Sequence, residues 1–197
     1  MRMINLVSHW CINRNYISEE QIPWLEYILE KKITTSIGMT AMLIVGLCVS
    51  LWGRTVCFLA GFSAIRCRTN GFHARTHMGC FLVSIGLEVF FLMMLPDLLS
   101  LTVLMILLSV SSVLIFFFAP YNHPNMHLSC TEVRECAKSA KRRLCALLFA
   151  IFVLHISSYS EETLGIVLGI IMASFLLILA YILDYGGGFN AEEQNRG

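Results

Sequence analysis

Apolar residues gather into six runs, 33–52, 55–65, 80–95, 98–119, 144–158 and 163–183, with polar residues collected between them. A helix needs roughly 20 apolar residues to cross a bilayer. The first, fourth and sixth runs therefore predict full crossings, the third and fifth are marginal, and the second is short. Ahead of the runs, Ser18 and Gln21 have the spacing of a capping box, and Ile22, Leu25, Ile28 or Leu29, and Ile33 recur at helical intervals. That pattern predicts an amphipathic helix within 1–32, lying on the membrane surface or on the protein's own cytoplasmic loops. Glu19, Glu20, Glu26 and Glu30 interrupt the apolar core that a signal peptide requires. After Asp184 the glycines at 186–188 predict the end of the last helix and a mobile polar tail. The expected organisation is one membrane domain, with a cytoplasmic amphipathic N-terminus (1–32), a transmembrane bundle (33–183) and a cytoplasmic tail (184–197).

Composition fixes the class. Of 197 residues, 57% are hydrophobic and 14% charged, a balance that a soluble domain could not bury. An all-α, polytopic membrane bundle of about six transmembrane helices is expected. Charge placement then sets its orientation. With six crossings and the N-terminus inside, the inner segments hold Arg2, Arg14, Lys31, Lys32, Arg66, Arg68, Arg75, Arg134, Lys138, Lys141, Arg142, Arg143 and Arg196, and only Arg54 lies outside. Treating 33–65 as a single crossing would move the first four outside, so the positive-inside rule favours six. Both polar loops, 66–79 and 120–143, then face the cytoplasm, as do both termini. No basic patch interleaved with aromatic residues points to nucleic acid.

Eight cysteines do not make a disulfide framework here, because Cys67, Cys130 and Cys136 fall in the reducing cytoplasm while Cys48, Cys57 and Cys145 fall in or beside crossings. Gly165, Gly169 and Ala173 give the last crossing a face of small residues, suited to close helix packing within the chain or between two chains. Glu88 is an ionisable group deep in the third crossing, either functional or a structural acid paired with His155 at similar depth.

The candidate chemistry lies in 66–84, RCRTNGFHARTHMGCFLVS. Thiol chemistry at neutral pH needs a thiolate, which calls for a cationic surrounding or an adjacent base. Cys80 begins the third apolar run, so a helix N-terminus and Arg75 would both favour its anion, and a neighbouring histidine could take its proton. On a continuous helix His77 is three residues away and within reach, whereas His73 is seven away, roughly 10 Å along the axis. Gly71 and Gly79 make a bend that brings His73 back equally plausible, so spacing alone does not choose between the two. Asn70 is the one candidate in the stretch for orienting the base. Two rival classes use the same residues. His73, His77 and Cys80 have the spacing H-x3-H-x2-C, repeated by His123, His127 and Cys130, which a metal ion could bridge. Pro124 disfavours a single helix carrying the second triplet, and no H-E-x-x-H is present. A transporter would show polar groups paired across several crossings, and only Glu88 and His155 qualify.

The arrangement Arg66…Gly71-Phe72-His73-Ala74…Cys80, followed by an apolar run and then by Ala119-Pro120…His123-Pro124-Asn125 and a basic stretch, resembles the accessory gene regulator B (AgrB) family of bacterial membrane cysteine endopeptidases. The resemblance covers nearly the whole chain, and its His-Ala-x5-Cys element is fairly specific. It implies His73 and Cys80 as the catalytic pair, with Arg66 and Gly71 retained around them. It also implies an AgrD-like precursor peptide as partner, a cyclic thiolactone or lactone product, a homodimer in the cell membrane, and no cofactor or metal. Where the family often has a lysine after the His-Pro-Asn element, this chain has Met126-His127. The basic stretch Lys138, Lys141, Arg142 and Arg143 has two readings, an anchor to anionic headgroups or a receptor for the acidic tail of a precursor. Arg75 and Glu88 complete the expected substrate contacts.

Overall fold

The computed structural model describes residues 22–69, 77–121 and 130–194. Those residues are almost entirely helical, with no strand among them. Helix α1 spans Ile22–Val49 and α2 spans Trp52–Thr69. Helix α3, His77–Val89, passes through a π-helical turn, Phe90–Met94, into the short α4, Leu95–Leu98. Helices α5 (Leu101–Phe118), α6 (Cys130–Ile156) and α7 (Ser160–Gln194) follow. Counting α3 to α4 as one rod gives six long helices, as the apolar runs predict. Four segments are long and apolar enough to cross a membrane by themselves, namely Lys32–Val49, Phe81–Leu98, Leu101–Phe118 and Ser160–Leu183. The helices at the other two runs fall short for a visible reason. Helix α2 carries Arg54, Arg66 and Arg68, and α6 spends its first half on charged residues up to Arg143.

Three boundaries differ from expectation, the first being that residues 130–143, expected in a polar loop, form the first half of α6. Helix α1 starts at Ile22 and has no break near residue 33, where a surface helix was expected to give way to a crossing. Pro23 stands at its second position, where a missing N–H costs nothing, and Lys31 and Lys32 are good helix formers. Residues 1–21, with the Ser18 capping box, lie outside the described residues. Helix α7 continues through the glycines at 186–188 to Gln194 instead of ending after Asp184. Each glycine costs roughly 1 kcal/mol relative to alanine but forbids no i to i−4 hydrogen bond, so an established helix can run on through three of them.

Residues up to 41 and residues from 42 onward form two compact units. In the first, Thr40 Oγ1 donates back to the Ser36 carbonyl at 2.9 Å, a bond within its own helix. The second is organised on α7, whose residues from Ile166 to Ser174 are all buried. Helix α2 lies directly on it, because glycines let the two backbones touch. A methyl added at Gly165 would stand 3.0 Å from Phe58 N, one at Gly169 would stand 2.7 Å from Phe62 N, and one at Gly61 would stand 3.1 Å from the Ile166 carbonyl oxygen. The small-residue face at 165, 169 and 173 is therefore used within the chain. Van der Waals contact of this kind, rather than hydrophobicity, holds helices together where lipid already solvates apolar side chains.

The far end of this unit, where α2 begins and α7 begins, is fastened by charge. Arg54 pairs with Glu161, Nε to Oε2 at 2.7 Å. Its Nη1 also approaches the Leu92 carbonyl at 3.4 Å. Pro96 lacks the N–H that would serve that carbonyl in a regular helix, and the π turn and Arg54 together absorb the defect.

Candidate active site

The opposite end carries the polar loops. Helix α2 ends in Arg66, Arg68 and Thr69, α3 begins with His77, and α5 gives way after Phe118 to a cis Ala119–Pro120 peptide and Tyr121. The Tyr121 N–H donates to the Thr69 carbonyl at 2.9 Å, so the chain enters both polar loops from one point. Tyr181 of α7 braces that junction. Its hydroxyl donates to the Phe118 carbonyl at 2.8 Å, and its ring meets those of Phe118 and Tyr121 edge-on, with centroids 5.9 and 4.8 Å away. The two loops singled out from sequence thus begin side by side.

Cys80 is the fourth residue of α3, three after His77, in its first turn. The helix start carries a partial positive charge of roughly half a unit, the kind of setting that favours a thiolate. Asn70, Gly71, His73 and Arg75 lie outside the described residues, as do His123, Pro124, Asn125 and His127 of the second loop. His73 of the first H-x3-H-x2-C triplet and both histidines of the second are thus among the residues outside the description. Among the described residues no three metal-ligating side chains cluster.

Around the junction, sequence reasoning passed over two groups. Thr69 is fully buried, and its hydroxyl finds no hydrogen-bond partner among the described residues; nor does the buried Nε of Arg68. Tyr121 supplies the bond that joins the loops. The signal for both was their position, Thr69 directly before Asn70-Gly71 and Tyr121 inside the 119–125 element, but neither residue type announces a role. Arg66 is half-buried in the last turn of α2.

The basic stretch of α6 divides into charges held against the bundle and charges at the surface. Arg143 Nη1 donates to the Ala64 carbonyl at 2.9 Å, and Lys141 Nζ sits 4.2 Å from the centre of the Phe116 ring. Lys138 faces Glu135 across 3.7 Å at an exposed position, and Arg142 is exposed. Glu88 belongs elsewhere, eleven residues and about 16 Å along the axis from the start of its helix. It is not paired with His155, which lines a groove between α5 and α6 with Ser109, Ser112 and Phe152, while neither Glu88 oxygen has a partner among the described residues.

A multi-pass helical membrane protein, its two polar loops joined at one end and a cysteine in the first turn of the helix that follows one of them, is what fold and site define. The sequence profile of accessory gene regulator B (AgrB) matches residues 3–177, and the chain belongs to that family. No curated protein and no solved structure matches it. Membership places the protein in the agr quorum-sensing system, in a family associated with peptide processing and with an AgrD-related precursor.

Proposed function

We propose that this protein is a cysteine endopeptidase that removes the C-terminal tail of an AgrD-like precursor and passes the remaining peptide toward a cyclic thiolactone or lactone. Cys80 is the nucleophile and His73 the base. The thiolate attacks the scissile carbonyl, the histidine gives its proton to the leaving amine, and the peptide stays on Cys80 as a thioester. An internal thiol or hydroxyl of the peptide then attacks that thioester and frees the cysteine. Exchange of one thioester for another is nearly balanced, so ring closure outruns hydrolysis only if the ends are held together and water is kept away.

The observation that carries this reading is the position of Cys80 in the first turn of α3, at the end where Thr69 and Tyr121 join the two loops. Arg66, Gly71, Asn70 and His77 support the pair, and the exposed Lys138 and Arg142, with Arg75, are the charges available to an acidic tail. The enzyme works as a homodimer in the cell membrane with this end and both termini in the cytoplasm.

Co-expression with the precursor tests the assignment. Wild type releases the tail, while Cys80→Ala and His73→Ala release none and His77→Ala retains activity. Cleavage lost in His77→Ala and kept in His73→Ala would move the base to His77.

A further inference from the structure

The most unusual group in the membrane interior is one that the peptidase reading does not use. Among the described side chains of the rod from α3 to α4, Glu88, Phe91 and Leu92 are the buried ones, a stripe at i, i+3 and i+4 that turns the carboxyl inward near the middle of the crossing. Glu88 is fully inaccessible, and neither carboxyl oxygen has a hydrogen-bond partner among the described residues. Thr55, at the start of α2, is equally inaccessible, with its hydroxyl unpartnered. The two converge on Gly46 of α1, where an added methyl would stand 2.5 Å from Thr55 Cγ2 and 3.0 Å from Glu88 Oε1. One turn beyond Gly46, Ser50 carries another buried hydroxyl oxygen without a partner.

The charged groups nearby are committed to one another. Arg54 is paired with Glu161 and turned to the Leu92 carbonyl, and Glu162 lies against Gly53. From α1 between Met42 and Val49 the only ionisable side chain is Cys48, which is exposed, and α2 adds Cys57, whose neighbour is Glu162. Nothing among the described residues offsets a charge at Glu88. A carboxyl buried in apolar surroundings without a partner is costly unless a positive charge joins it. Oxygen atoms of carboxyl and hydroxyl groups are hard donors suited to a small hard cation.

We infer that Glu88 and Thr55, packed against Gly46, form an intramembrane site for one small monovalent cation, either a sodium ion or a proton. The site is independent of Cys80 and does not rest on the peptidase reading.

A hydrophobic carbodiimide, which reacts with protonated carboxyls in apolar surroundings, tests it on the intact protein in detergent or lipid nanodiscs. Mass spectrometry should find one adduct on Glu88, absent in Glu88→Gln. If sodium is the ligand, sodium chloride slows labelling at least fivefold relative to choline chloride at equal pH and ionic strength. In that case Thr55→Val raises the sodium concentration needed for protection. If the proton alone is the ligand, the two salts give the same rate, and labelling falls as pH rises from 6 to 9. No adduct on Glu88 in the folded protein, or a rate indifferent to both sodium and pH, overturns the inference. Because Glu88→Gln is nearly isosteric, its folding is checked by size-exclusion profile before the comparison.

Discussion

Helices α2 and α5 have the same length, 18 residues, and opposite compositions. Helix α5 has no charged residue, yet it buries only Leu104, Leu108, Ser111 and Ile115 and turns Ile106, Val113 and Phe117 outward. Helix α2 holds three arginines and two glycines, too polar to register as a crossing, yet it lies against α7 and buries seven residues along one side. The difference teaches how to read such a chain. In a bilayer, apolarity marks what lipid touches, whereas small and polar residues mark what protein touches. A helix too polar to look like a crossing holds the bundle together and leads into the candidate site.

The contrast can be broken most forcefully at the α2 to α7 crossing. Gly169→Leu should cost about 3 kcal/mol, roughly 10 °C in Tm for a protein of this size, since the added side chain meets backbone rather than a movable neighbour. An unchanged melting profile would mean that the two helices do not approach this closely. A smaller effect is expected at the far end of α2. Arg54→Ala should cost about 1 kcal/mol, because the Glu161 carboxylate is partly open to solvent and the pair is correspondingly screened. The exchanged pair Arg54→Glu with Glu161→Arg should recover part of that loss, and a double-mutant cycle measures it. Smallest of all, Ile106→Ala on α5 should change stability by no more than about 0.5 kcal/mol, since its side chain points away from the protein. A large loss there would place a protein surface, such as a second subunit, where the account places lipid.

How much of this was legible depends on whether the signal was local. Apolar runs found every long helix, and the change from polar to apolar near Cys80 put that residue at a helix start, three residues from where α3 begins. The spacing of Gly165, Gly169 and Ala173 announced a close contact, although it could not say that α2 would fill it. Helix ends are less legible, because breakers such as the glycines at 186–188 predict a stop that α7 does not make. The Thr69 to Tyr121 bond and the isolation of Glu88 from His155 join or separate residues far apart in sequence. No periodicity records such contacts, because they depend on which helices end up adjacent.

The central claim is that Cys80 carries the acyl group. Intact-protein mass spectrometry of enzyme mixed with full-length precursor measures this directly. The expected result is an added mass equal to the precursor without its tail, mapped to Cys80, released by hydroxylamine and absent in Cys80→Ser. Tail release that persists in Cys80→Ser, with no adduct on the wild-type cysteine, would contradict it.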